Sequence, residues 1–247
     1  MTSIDLNADL GEGYGSDVEL MQLVSSCNIA CGGHAGDADT MTATVKLAID
    51  HNVAVGAHPS YPDRAGFGRN ANYCAGDELA KSLIKQIDNL NNVARSAGAE
   101  VRHVKPHGAL YNDANVDDEL ANIVALATLA VCPPAAIIGP PNGALQHAAA
   151  RLRMDFVAEG FVDRAYAPDG SLVSRGEPHA VHDNVNTITT QALRLAQDGE
   201  VTADTGDIIS VSAQTLCLHG DTPNAVELGR AVRDVLSRSG VEIRAVA

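Results

Sequence analysis

Six times along the chain a short apolar run breaks into a glycine or proline turn that carries Asp, Glu, His or Lys. The runs are Ile4–Glu12, Cys27–His34, Val53–Pro59, Val101–Gly108, Phe156–Gly160 and Leu216–Asp221. One architecture makes this pattern: a parallel β/α barrel, in which reactive side chains at the C-terminal ends of many strands converge on one mouth. The length, 247 residues, suits it, since such a barrel typically needs about 250 residues. A single barrel domain over residues 1–247 is therefore expected.

Between the runs lie segments with helical periodicity. The clearest covers Asp77–Ala97, where Leu79, Leu83, Ile87, Leu90 and Ala94 form one stripe, Asp77 stands at an N-cap position and Gly98 where a terminating glycine belongs. The last helix is expected between Thr222, as its cap, and Gly240, with Pro223 in its first turn. Others are expected over Ala38–His51, Asp117–Val131, Asn142–Leu152, Ala180–Asp198 and, shorter, Asp17–Ser25. The strands are apolar without strict alternation, which fits strands covered on both faces. Seven are strong and Val241–Val246 is a weak eighth, so the fold class is α/β, a TIM-like barrel that is irregular or seven-stranded. The runner-up, a doubly wound open sheet, places ligands in one crevice, fewer sites than six decorated turns require. Gly160–His179, rich in turn residues after a strand end, reads either as a flap over the mouth or as a surface hairpin.

Composition limits the function. A net charge of −14 with no basic run argues against nucleic acid and anionic membranes as partners. An anionic substrate then needs local cations, and Arg64, Arg69, Lys105 and Arg164 lie in or beside the turns. The uncharged stretch Ile123–Gly139 is too short for a span and is split by Pro133-Pro134. Scattered cysteines, and a start without a basic segment and apolar core, point to the cytoplasm.

Asp9 and Glu12 flank Gly11 after the first run. Two carboxylates in one turn suit acid–base work, because neighbouring charge separates their pKa values, and they also suit a metal. The plainer alternative makes Asp9 a helix cap and Glu12 a solvated side chain. His34, His58, His107 and His219 each follow a run. Four histidines at equivalent positions fit either a divalent-metal site with Asp9 or a set of proton carriers. Their spacing leaves both open. Lys105 shares a strand face with Val101 and His103 and points along the barrel interior. Cys31 reads as buried and inert, and His51, His147, His179 and His182 as surface residues. Neither G-x-G-x-x-G nor G-x-x-x-x-G-K-[ST] occurs, so the chain shows no nucleotide loop of its own, and no G-x-S-x-G nucleophile elbow is present.

Seven segments, Asp5–Gly13, Ser26–Asp37, Gly56–Asp63, Phe67–Arg69, Val104–Tyr111, Glu159–Tyr166 and His219–Pro223, resemble in order the LamB/YcsF family, the A subunits of 5-oxoprolinase. The resemblance spans nearly the whole chain. It implies a barrel akin to glycoside hydrolases and deacetylases. It also implies a part in the ATP-dependent opening of 5-oxo-L-proline to L-glutamate, alongside companion subunits B and C through which ATP would be handled. A divalent metal and a homo-oligomer are both compatible with it. Asp9, Glu12, His34, His58 and His107 are then the catalytic candidates, with Asp9, His34 and His58 as the metal candidates. Lys105, Arg164, His219 and Asp221 are the substrate-binding candidates, with His107 able to share that role. The rivals are a self-sufficient metal-dependent amidohydrolase or deacetylase, and a non-catalytic regulatory subunit.

Overall fold

In β1 (Ser3–Leu10) two alternating sets of side chains take opposite sides. Ile4, Leu6, Ala8 and Leu10 belong to the apolar core, whereas Asp5, Asn7 and Asp9 are buried polar residues that bond to one another's partners across the barrel interior. The same division recurs around a closed ring. The computed structural model describes Thr2–Asn70, Cys74, Gly76–Thr222 and Asn224–Ala247. Its ring runs β1, β2 (Ser26–Ala30), β3 (Ala54–His58), β4 (Val101–Val104), β5 (Ala136–Gly139), β6 (Phe156–Phe161) and, after a small antiparallel hairpin of β7 (Glu200–Thr202) and β8 (Ile208–Ser210), β9 (Thr215–Leu218). Parallel pairing of β9 with both β6 and β1 closes the barrel at seven strands.

Eight helices among the described residues cover it: α1 (Asp17–Met21), α2 (Ala38–His51), α3 (Gly76–Ser96), α4 (Gly108–Val116), α5 (Asp118–Val131), α6 (Ala144–Leu152), α7 (Val185–Asp198) and α8 (Ala225–Arg238). The α3 stripe of Leu79, Leu83, Ile87, Leu90 and Ala94 is fully buried. Truncating one of its leucines to Ala is expected to cost about 2–5 kcal/mol. Side-chain caps start three helices: Asp37 for α2, Asp117 for α5 and Asn184 for α7.

The run at Val241–Val246 yields only β10 (Glu242–Ile243), which pairs with Ser3 and Ile4 of β1 outside the ring. Beyond it Ala247 packs against Ala136, Ile138 and Val157. Thr222 does not cap α8. Its hydroxyl donates instead to Asp163, and Asn224, with a left-handed backbone, holds the cap position. Pro223 lies outside the described residues. Asp77 sits inside the first turn of α3, and α7 begins at Val185, five residues after the expected Ala180. Gly160–His179 contains a hairpin, with Ala165 and Val173 hydrogen-bonded around the Pro168-Asp169-Gly170 turn. Its far end brings Arg175 to Asp221 at the mouth.

Candidate active site

The barrel is filled with hydrogen-bonded polar side chains rather than aliphatic layers. At the bottom Asp5 accepts from Ser25, Ser26 and Thr215 at 2.6, 2.7 and 2.6 Å. Burial raises its pKa above the usual carboxylate value, against the pull of those three hydroxyls. One layer up, Asn7 donates to Glu159 and Thr215, while Asn28 donates to Asn7 and Asp9. Asn28 in turn accepts from His103 Nε2 at 2.8 Å. The His103 ring lies against Gly56 so closely that any Cβ there would collide with it. Burial, helped by Lys105, lowers His103 to about 3, so it is a neutral structural donor.

Lys105 is the centre of this column. It is 2% exposed, and its ammonium lies 3.0 Å from Asp9 Oδ1, 2.8 Å from Glu159 Oε1, 3.3 Å from Asn7 Oδ1 and 3.1 Å from Cys217 Sγ. Burial acts to discharge it, but Asp9, Cys217 and Glu159 outweigh burial and raise its pKa well above the ordinary lysine value. Tyr111 on α4 donates to the other Glu159 oxygen at 2.7 Å.

Above Lys105, the last residue of β3 and the loops after β1, β2 and β4 deliver four side chains to one point. A carboxylate oxygen of Glu12 lies 3.0 Å from His34 Nε2, 3.3 Å from His107 Nδ1 and 3.8 Å from His58 Nε2. His58 Nε2 is also 3.3 Å from Asp9 Oδ2 and 3.0 Å from His107 Nδ1. The remaining ring nitrogens settle the tautomers, because a backbone carbonyl can only accept. His58 Nδ1 donates to the Lys105 carbonyl at 2.7 Å, and His107 Nε2 to the Phe67 carbonyl at 3.1 Å. Each ring, when neutral, thus turns a lone pair toward the other and toward Glu12. Two facing lone pairs beside a carboxylate need a proton or a cation between them. Ligand atoms of Glu12, His34, His58 and His107 all lie within 4.8 Å of one another. This donor set fits a divalent metal of the imidazole–carboxylate kind, and carbonyl acceptors behind two of the imidazoles are the usual outer support of metal-bound histidine. Buried His34 Nδ1 has no hydrogen-bond partner among the described residues.

Electrostatics separates the members. Burial, then the charge of Asp9, raises Glu12 to about 7. Burial acts to raise Asp9 too, yet His58 and Lys105 outweigh it and hold Asp9 well below the usual range. Burial acts to lower His58, but Asp9 and Glu12 together leave it raised. Burial and the neighbouring imidazoles lower His107 to about 3 and push His34 down further. Asp9 and Glu12 therefore differ in protonation although only Leu10 and Gly11 separate them. Asp9 does not cap a helix; in the turn that follows, Asp17 accepts from the Gly11 N–H at 2.8 Å.

Loops after β6 and β9 form the opposite rim. His219 Nδ1 pairs with Asp163 at 2.9 Å, and its ring stacks on Phe161 at 5.4 Å between centroids. Asp221 accepts from Arg69 at 2.7 Å and from Arg175 at 3.4 Å.

Residues 4–247 match the model of the LamB/YcsF family. The chain belongs to the LamB/YcsF family. It is 44% identical to the 5-oxoprolinase A subunit from Methylococcus capsulatus, over 99% of this chain and 96% of that protein. It superposes on the lactam utilization protein from Thermus thermophilus with a TM-score of 0.92 and 40% identity, covering 98% of this chain and 99% of that one. Peptidoglycan deacetylase PdaC from Bacillus subtilis shares the fold alone, with a TM-score of 0.52 and 13% identity over 99% of this chain and 88% of that one.

In this LamB/YcsF chain the structure brings Asp9, Glu12, His34, His58 and His107 together at the mouth, with Lys105 directly beneath Asp9. His219 and Asp221 stand on the facing rim. Arg164 departs from expectation: its guanidinium is bonded to the carbonyls of Ala180 at 3.2 Å and Val173 at 2.6 Å, so it braces the hairpin. Arg69 and Arg175 are bonded to Asp221 at the rim. Cys31 is buried, with its thiol pushed by burial up to about 12. His51, His147 and His179 are exposed and His182 is half-buried. Sequence reasoning missed Asn7, Asn28, Glu159, Tyr111 and Asp163. The first two were signalled by polar residues at every second position of β1 and β2. Among the described residues no helix is long and apolar enough to cross a membrane.

Proposed function

We propose that this barrel mouth opens the lactam ring of 5-oxo-L-proline to L-glutamate, the chain acting as the A component of an ATP-dependent enzyme whose companion subunits B and C handle the nucleotide. The observation that supports it most is the mouth itself. A base cluster sits over an ion-paired lysine, in a chain closely similar to proteins named for 5-oxoprolinase and lactam utilization. A lactam is a poor electrophile, and ATP-derived phosphorylation of its oxygen elsewhere in the complex would make its carbon attackable. Water then bonds to that carbon while the Glu12–His58 cluster takes its proton. At about 7, Glu12 is matched to accept and return a proton near neutral pH. Asp9, kept ionised by His58 and Lys105, fixes His58 in place. The ring C–N bond breaks and the nitrogen gains a proton, leaving an acyl phosphate, and a second water releases its phosphate to give the amino acid and inorganic phosphate. Arg69 and Arg175, released from Asp221, bind the substrate carboxylate or the phosphate.

Glu12, His34, His58 and His107 would hold a divalent cation where one is bound, and it would polarise the oxygen it binds. Their convergence also favours the second reading, a metal-dependent hydrolase that needs no ATP. An omission assay separates the two. The three-subunit mixture with ATP is expected to form glutamate and to stop when this chain or ATP is left out. Activity of the chain alone, abolished by a chelator and indifferent to ATP, would establish the second reading.

A further inference from the structure

We propose that His219 is the acid that protonates the departing ring nitrogen, and that Asp163 is its positioning residue. This rests on the lactam-opening reading above. That reaction needs two proton transfers at different places: one from the attacking water, one to the nitrogen. The Glu12–His58 cluster is placed for the first. It is poorly placed for both, because its histidines are turned toward one another and toward Glu12.

The facing rim carries an independent pair. Register between β6 and β9 sets Phe161 beside Cys217, and two residues further on, in the loops past the strand ends, Asp163 meets His219. Both Asp163 oxygens lie within 3.0 Å of His219 Nδ1, and Thr222 donates to Asp163 at 3.1 Å, which fixes the carboxylate. Burial acts to raise Asp163, but His219 outweighs it and keeps it an acceptor for Nδ1–H. Phe161 stacks on the ring and fixes its plane. Nε2 is left without a hydrogen-bond partner among the described residues. A ring nitrogen of His219 lies within 4.8 Å of an Asp9 oxygen and of Cys217 Sγ, so His219 borders the same space as the Asp9–Lys105 pair. A carboxylate on Nδ1 with Nε2 unoccupied is the arrangement by which an imidazole passes a proton in one direction.

The step balances. As the carbon–nitrogen bond breaks, its electron pair moves to nitrogen and the Nε2 proton of the imidazolium transfers to it. Neutral His219 keeps its Nδ1 proton on Asp163. Water has meanwhile supplied hydroxyl to carbon and a proton to the base cluster, from which the imidazolium is restored through solvent at the mouth.

The test compares 5-oxo-L-proline with its lactone counterpart, 5-oxotetrahydrofuran-2-carboxylate, in the three-subunit mixture. An alkoxide leaves far more readily than an amide anion, so the lactone has little need of the acid. His219→Asn and Asp163→Asn are each expected to slow lactam opening about 10²–10⁴-fold and lactone opening less than about 10-fold. Equal losses on both substrates, or an Asp163→Asn chain as fast as the wild type, overturn the proposal. The pair is also read in the isolated chain by proton–nitrogen NMR. A strongly downfield His219 Nδ1 proton, lost in Asp163→Ala, supports it even if the mixture fails to open the lactam. Absence of that proton from the wild type overturns it even if the mixture is active.

Discussion

Replacing Lys105 by Met tests whether the barrel interior is held by charge. The side chain is buried between Asp9 at 3.0 Å and Glu159 at 2.8 Å, and both carboxylates are themselves largely buried. Removing one partner of such a set leaves uncompensated charge in a poorly solvated place, which costs about 3–5 kcal/mol. For a chain of this size each kcal/mol lowers Tm by about 2–4 °C, so the expected fall is about 6–20 °C. The sign with pH follows from the shifts. Asp9 is depressed in the fold, so its contribution is present above the unfolded carboxylate value and is lost as pH falls through the folded one. Lys105 is raised, so its contribution is present below the unfolded lysine value and is lost only as pH rises through the folded one. The gap between wild type and variant is therefore full and flat from about pH 6 to 9 and narrows on acidification, as the stranded carboxylates gain protons. Adding Glu159→Gln to Lys105→Met removes one stranded charge and is expected to recover part of the loss. Scanning calorimetry across pH reads all of this. A loss under about 1 kcal/mol, the scale of an exposed ion pair, would refute the reasoning, as would a gap that widens toward acid.

Other expectations follow from single residues. In the metal-free chain, Glu12→Gln is expected to stabilise above pH 7. The raised pKa of Glu12 favours its protonated form, a benefit present below the unfolded value and lost as pH rises through about 7; the rise from 4.5 is worth about 3 kcal/mol. Denaturation at pH 8 checks the sign. Zn²⁺ or Mn²⁺ at about 100 times its Kd is expected to add about 2.7 kcal/mol to the wild type and far less to His34→Ala, measured by thermal shift. Gly36→Ala is expected to cost about 2–5 kcal/mol, because Gly36 has φ +81° and a Cβ there would run into the Ala30 carbonyl; chemical denaturation measures it.

The mouth was legible because chemistry-bearing residues stood at strand ends, and a closed parallel ring sends all such ends to one side. The seven strong strands expected from the sequence are the seven strands of the ring. What escaped depends on partners distant in sequence. Arg164 looked like a free cation, yet only the folded hairpin supplies the Val173 and Ala180 carbonyls that occupy it. Thr222 has the chemistry of a cap, but Asp163 is the better partner once β6 and β9 are adjacent. Asp163 itself carried no local signal, since only strand register sets it beside His219. Helix α4 was hidden because its start, Gly108, belongs to the Lys105-Pro106-His107-Gly108 turn, and the β7–β8 hairpin because its three-residue strands are too short to show a pattern.

The central claim, that ring opening happens at this mouth, is tested most directly by the rate of glutamate formation from 5-oxo-L-proline and ATP. The three subunits are assembled once with the wild-type chain and once with His58→Ala. We expect the wild-type mixture to turn over and the variant to fall by about 10²–10⁴-fold, with its assembly unchanged by size-exclusion chromatography. A His58→Ala mixture within twofold of wild type would contradict the claim.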